Sequence, residues 1–188
     1  MARDLKTDIL NVASDLFYRQ GIKNTGVDAI VKTAGTTKMS LYKYFPSKDD
    51  LVLAHLQKSR EAVRQHILRS IEKQNDPKEK LLAIFDVFAE LQAQPSFRGC
   101  PFINAAAEFA ETDGPVQRAI ADYSESFRKL VAQLAQNVGI DQADELSGHL
   151  TMLITGAMAS EQMQRGIGAM RSARKAAEIL IASYFGNN

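Results

Sequence analysis

A chain of 188 residues, 45% hydrophobic and 24% charged, can form one or two domains around a sizeable core and has an ordinary globular composition. Its single cysteine, Cys100, excludes an internal disulfide framework, and no run approaches the ~18 apolar residues that a membrane span needs. The formal charge of +1 conceals an asymmetry: residues 1–60 hold ten Lys or Arg against six Asp, and the remainder holds 13 against 16, so a polyanion is drawn to the first end.

The chain opens on Met-Ala-Arg-Asp-Leu, an amphipathic helix start without an apolar leader, and a cytoplasmic protein is expected. Leu5, Ile9, Val12, Ala13, Leu16 and Phe17 recur at helical spacing from Asp4 to Gln20, and Gly21 closes that helix. Thr25 is placed to cap a second helix carrying Val27, Ile30, Val31 and Ala34. Gly35 can take the positive φ that stops it, and Thr37 can cap a third helix bearing Leu41, Tyr42 and Phe45. Pro46 and Ser47 end this third helix, and Ser47-Lys48-Asp49-Asp50 reads as a new N-cap with acids in its first turn. Two short helices joined by a tight turn at Ala34-Gly35-Thr36 form a helix-turn-helix, which makes duplex DNA the expected partner. In that arrangement Thr37, Lys38, Met39, Ser40 and Lys43 point toward the major groove, with Lys38 and Lys43 able to donate to guanine or to phosphate. Leu41 and Phe45 belong to the core.

Gly21, Thr25, Val27, Ile30, Ala34-Gly35, Leu41-Tyr42, Tyr44-Phe45, Ser47-Lys48 and Leu51 resemble, in order and spacing, the DNA-binding signature of the TetR/AcrR family of bacterial transcriptional regulators. The resemblance covers roughly the first quarter of the chain. It departs at Thr36, where a small apolar residue is usual, at Gly26, where Ser or Thr is usual, and at Met39, where Gly is common. The last departure falls among the residues that choose the DNA sequence. The resemblance implies that Thr25, Tyr42, Tyr44 and Lys48 hold phosphates of a double-stranded operator. It further implies a homodimer, usually a repressor, that a small-molecule effector releases from DNA by shifting the long helix beginning near Ser47.

Beyond this segment the sequence reads as helices near 48–74, 77–93, 102–111, 115–137, 141–164 and 170–185, separated by Pro95, Gly99, Pro101, Gly114-Pro115, Gly139 and Gly166-Ile167-Gly168. No segment alternates with period two, so the expected fold is all-α: a three-helix DNA-binding domain over residues 1–47, then a helical ligand-binding and dimerisation domain over 48–188. Phe85, Phe88, Cys100, Phe102, Tyr123, Phe127, Met152 and Met158, with Asn104, Glu108 and Thr155 as polar anchors, suit an adaptable small-molecule pocket or a plain core. Leu146, Leu150, Leu153, Ile154 and Ala157 on one helix, and Ala173, Ala177, Leu180, Ile181 and Tyr184 on the next, form broad apolar stripes rich in small residues. Such a pair packs against its two-fold mate as a four-helix bundle, or completes the core of one subunit.

Arg98-Gly99-Cys100-Pro101-Phe102 resembles a Gly-Cys-Pro-Phe motif found in a subset of the same regulators, some of which sense electrophiles through a cysteine. Arg98 and the following helix N-terminus both favour a thiolate there, whereas a free cysteine is also a common buried residue. Nothing supports catalysis, a cofactor or a metal. His55, His66 and His149 are scattered, Glu145 and His149 lack further ligands, and Ser126-Phe127-Arg128-Lys129 lacks the companions of a serine nucleophile. The sequence is also compatible with a helical ligand-binding or protein-interaction module without sequence-specific DNA binding, and with a thiol-based sensor acting through Cys100.

Overall fold

The computed structural model describes residues 4–110 and 113–185; among these the chain forms nine α-helices and no strand. The expected helix starts are realised by the expected chemistry. The helix α1 (Leu5–Gln20) is capped by Asp4, whose carboxylate accepts from the Thr7 N–H at 3.3 Å, and Gly21 ends it at φ 91°. The first three residues of the amphipathic start lie outside the described residues. The helix α2 (Val27–Ala34) ends at Gly35 in the left-handed region, φ 61°, and the α3 helix (Lys38–Tyr44) begins at Thr37, whose hydroxyl accepts from the Ser40 N–H at 3.2 Å. At the head of α4 (Lys48–Glu72) the Ser47 hydroxyl accepts from the Asp50 N–H, and the Asp50 carboxylate takes the Ser47 N–H in return, a reciprocal capping box. Asp76 accepts from Lys78 and Glu79 N–H to start α5 (Pro77–Gln92).

The remaining helices are α6 (Pro101–Glu108), α7 (Pro115–Asn137), α8 (Ala143–Met163) and α9 (Ala169–Phe185). The helix expected over 102–111 ends at Glu108, and its last expected residue lies outside the described ones. Thr25 does not cap α2. The N-cap is Gly26, which has no side-chain bond, because the Thr25 hydroxyl turns inward to donate to the Gly21 carbonyl at 2.7 Å.

The chain divides into two compact units, and both α4 and α7 pass from one to the other. The first comprises Met1–Glu61 and Pro101–Ala121, and the second Ala62–Cys100 and Asp122–Asn188. In the first, α1, α2 and α3 pack mutually around Ile9, Phe17, Ile30, Leu41 and Phe45, with Leu51, Val52 and His55 of α4 also buried. This unit takes in the start of α4 and all of α6, well beyond the expected segment 1–47.

In the second unit α5, α8 and α9 form the core through Leu81, Phe85, Leu146, Leu150, Ala177 and Ile181. Arg174 of α9 fixes the register there, its guanidinium bonding Asp86 at 2.9 Å, Glu79 at 2.8 Å, and Glu178. Among the described residues no helix is long and apolar enough to cross a membrane.

Candidate nucleic-acid interface

The third helix is anchored by Leu41 and Phe45 in the core, which directs its other faces outward. Met39 is 82% exposed, and Tyr42 and Tyr44 are exposed beside it. Thr37, Lys38 and Lys43 are also exposed, while Ser40 and Lys48 are half-buried. The face therefore offers hydroxyls from Thr37, Ser40 and both tyrosines, ammonium groups from Lys38, Lys43 and Lys48, and one long apolar side chain. These are the donors that phosphates and base edges accept, together with a group able to touch a thymine methyl.

Two residues stand differently from what the sequence suggests. Thr25, expected at a phosphate, is fully buried, and its hydroxyl is committed to the Gly21 carbonyl, so it braces the turn between α1 and α2. Lys38 is not a free donor: its ammonium lies 2.8 Å from the Asp28 carboxylate of α2, and that bond raises its pKa above the usual lysine value. Sequence reasoning missed Asp28. Its only local signal is an acid one residue into α2, where it also complements the helix dipole.

The expected pocket residues are divided between the two units. Phe85, Phe88, Tyr123, Phe127 and Met158 belong to the second unit, whereas Phe102, Asn104 and Glu108 belong to the first. Within the second unit Phe88 meets Phe127 edge-on at 5.7 Å, and Tyr123 stacks on Phe127 at 6.1 Å, a compact aromatic cluster. Met152 and Thr155 are exposed and Cys100 is half-buried. Glu108 is engaged within the first unit. Its carboxylate accepts from the backbone N–H of Ile22 at 2.9 Å and of Lys23 at 2.6 Å, in the turn that follows α1.

The apolar stripes of α8 and α9 also divide. Leu146, Leu150, Ile154, Ala157, Ala173, Ala177 and Ile181 are buried within the chain, because α8 and α9 pack on each other and on α5, so these residues complete one subunit's core. Leu153 and Leu180 join Met152, Gly156 and His149 in lining an open apolar groove of about 580 Å³, and Ala157 and Ala173, though nearly buried, form part of its floor. Tyr184 is half-buried, its hydroxyl 3.3 Å from the His149 ring. No group of three or more potential metal ligands occurs among the described residues.

Residues 9–55 match the model of the bacterial regulatory proteins of the tetR family, and residues 77–177 match that of the tetracyclin repressor-like C-terminal domain. The chain is 29% identical to the HTH-type transcriptional regulator YxaF of Bacillus subtilis, covering 81% of this chain and 82% of that one. It is 27% identical to the regulator LmrA of the same organism over 81% and 84% of the two chains. A crystal structure of a TetR-family transcriptional regulator from Streptomyces coelicolor superposes with a TM-score of 0.89 at 28% identity, covering 96% of this chain and 95% of that one. With both halves of its length matched and an exposed second helix of the helix-turn-helix in the matching place, the chain belongs to the TetR family of helix-turn-helix transcriptional regulators.

Proposed function

We propose that this regulator is a repressor that binds a palindromic operator as a homodimer and is released by a small-molecule effector. The observation that carries the reading is the outward face of α3, where Thr37, Met39, Ser40 and Lys43 are presented by a helix whose opposite face is locked in the core. Tyr42, Tyr44 and Lys48 supply phosphate contacts that set register, and Met39 and its neighbours supply those that choose sequence. Lys38 exchanges the Asp28 carboxylate for a phosphate when DNA arrives. One α3 reads too few base pairs for a unique site, and two related by a two-fold axis read half-sites one helical turn or a multiple apart. The groove lined by Met152, Leu153, Gly156 and Leu180 supports the dimer, since a second copy would cover it with the same small and apolar residues. For the effector, the aromatic cluster of Phe88, Tyr123 and Phe127 is the favoured contact region.

The test is a duplex selected from random sequence by the full chain, followed by affinity measurements across a salt series. Binding that weakens steeply with salt is expected. The Lys43→Ala, Lys48→Ala pair should reduce the slope of log K against log salt by about one for each lysine lost. An affinity indifferent to salt, or unchanged in the double variant, removes the proposed interface.

A further inference from the structure

The turn between α1 and α2 fixes how the helix-turn-helix leaves its supporting helix, yet its own residues satisfy only part of it. Gly21 at φ 91° ends α1 by returning its N–H to Phe17, and Thr25 closes the turn through its N–H to the Ile22 carbonyl at 3.2 Å and its hydroxyl to the Gly21 carbonyl. The successive N–H groups of Ile22 and Lys23 are left pointing outward from this turn, which makes a small concave site for an anion. Glu108 fills it. One carboxylate oxygen takes each N–H, at 2.9 and 2.6 Å, from a residue 86 positions away in sequence. The fit is close: a Cβ at Gly21 would stand 3.3 Å from the nearer carboxylate oxygen, in a backbone conformation that other residues seldom adopt.

Resting on the DNA-binding reading above, we infer that Glu108 is a positioning residue for operator recognition. Its carboxylate holds the Gly21–Thr25 turn in the geometry from which α2 and then α3 are aimed, and α6 is thereby a working part of the DNA-binding unit. The turn leads directly into α2, a continuous helix from Val27 to Ala34 that packs against α3, so a tilt at the first turn is carried through α2 into a displacement of the exposed face of α3. Two charge-assisted bonds to adjacent amides restrain both the position and the rotation of that turn, which a single bond would not. Any event that moves the end of α6 acts on the same amides.

The test combines amide hydrogen exchange with operator binding in the full-length protein, comparing wild type, Glu108→Gln and Glu108→Ala. In Glu108→Ala the Ile22 and Lys23 amides should exchange about tenfold or more faster, while core amides such as Ile9, Ile30 and Leu41 stay within about twofold. Operator affinity should fall about fivefold to twentyfold with the salt slope retained, because no phosphate contact is lost. Glu108→Gln keeps the shape and one acceptor oxygen, so it should fall between the two, which a general loss of structure would not produce. Unchanged exchange at Ile22 and Lys23 overturns the inference by showing that the carboxylate does not hold them. Faster exchange with undiminished operator affinity overturns the positioning role. Should the wild type itself bind duplex DNA without salt dependence, the DNA-binding reading fails instead, and the exchange experiment still decides whether Glu108 restrains the turn.

Discussion

His55 makes the stability of the first unit sensitive to mild acid. It stands on α4 at 5% exposure, edge-on to Phe17 with ring centroids 5.7 Å apart, and its Nδ1 has no hydrogen-bond partner among the described residues. Burial, reinforced by the Lys58 charge, lowers its pKa from 6.5 to about 4. A histidine whose folded pKa lies below its unfolded one binds its proton more readily in the unfolded chain. Its destabilising effect is therefore absent above about pH 7, grows as pH falls through 6.5, and levels off below the folded value. At 1.36 kcal/mol per unit, the shift amounts to about 3 kcal/mol at pH 4 and about 1.4 kcal/mol at pH 5.5.

Replacing His55 by Leu removes the titration while keeping an apolar side chain against Phe17. Urea denaturation at fixed protein concentration, at several pH values between 7.5 and 4.5, gives the stability of each protein. The difference between them isolates His55 from every other titrating group. Stability of the wild type relative to His55→Leu should fall by more than 1 kcal/mol over that interval, about as the linkage relation requires. A difference that stays flat, or an imidazole that titrates near 6.5 by NMR, would refute the claim that the ring is held neutral by burial.

Three further outcomes follow from the interface. Asp28→Asn removes a carboxylate from the DNA-facing surface and spares Lys38 the loss of its ion pair, so affinity at low salt should rise about threefold to tenfold while the salt slope stays nearly the same, because Lys38 meets a phosphate in both proteins; gel-shift titrations check both. Met39→Gly deletes the one long apolar side chain on the face, and a preference for A·T at the base pair it meets should weaken about fivefold in a selection from random DNA, with other positions unaffected. Met152→Glu with Leu153→Glu places two charges in the groove between α8 and α9; sedimentation at micromolar concentration should then give a monomer, and operator binding should fall with it.

The parts of the fold legible in the sequence are those decided within four or five residues. Asp76-Pro77-Lys78-Glu79 starts a helix because its carboxylate reaches the next free N–H groups, and Ser47 with Asp50 does so by reciprocal bonds. Gly35 likewise ends α2 because the left-handed turn needs no distant partner. Thr25 shows where that reasoning stops: the same hydroxyl could cap forward or bond backward, and the depth of the turn in the core chose the second. Lys38 reads as a DNA donor from helix position alone, since its pairing with Asp28 depends on how α2 and α3 cross. The stripes of α8 and α9 were visible as apolar. Which of their residues face α5 and which line the open groove is set by the packing of three helices, and no periodicity within one helix encodes it.

Glu108 and Glu161 together show why a local reading finds one kind of support and misses the other. Each is a helix-borne carboxylate that takes two backbone N–H groups at a glycine-containing turn: Ile22 and Lys23 for Glu108, Gly166 and Ala169 for Glu161. Glu161 reaches forward five and eight residues, so its turn is complete within a single stretch of chain. Glu108 reaches back across most of the intervening sequence, and the unit it supports is discontinuous. A fragment ending at Glu61 should therefore still fold, since Ile9, Phe17, Ile30, Leu41 and Leu51 are all present, but with two turn amides left to water. Loss of the charge-assisted bonds alone should lower its stability by about 1–3 kcal/mol relative to the same segment extended by a linker and residues 101–121. Chemical denaturation of the two proteins measures the difference. If they unfold at the same denaturant concentration, the second segment contributes nothing to the first, and the discontinuity is one of contact without energy.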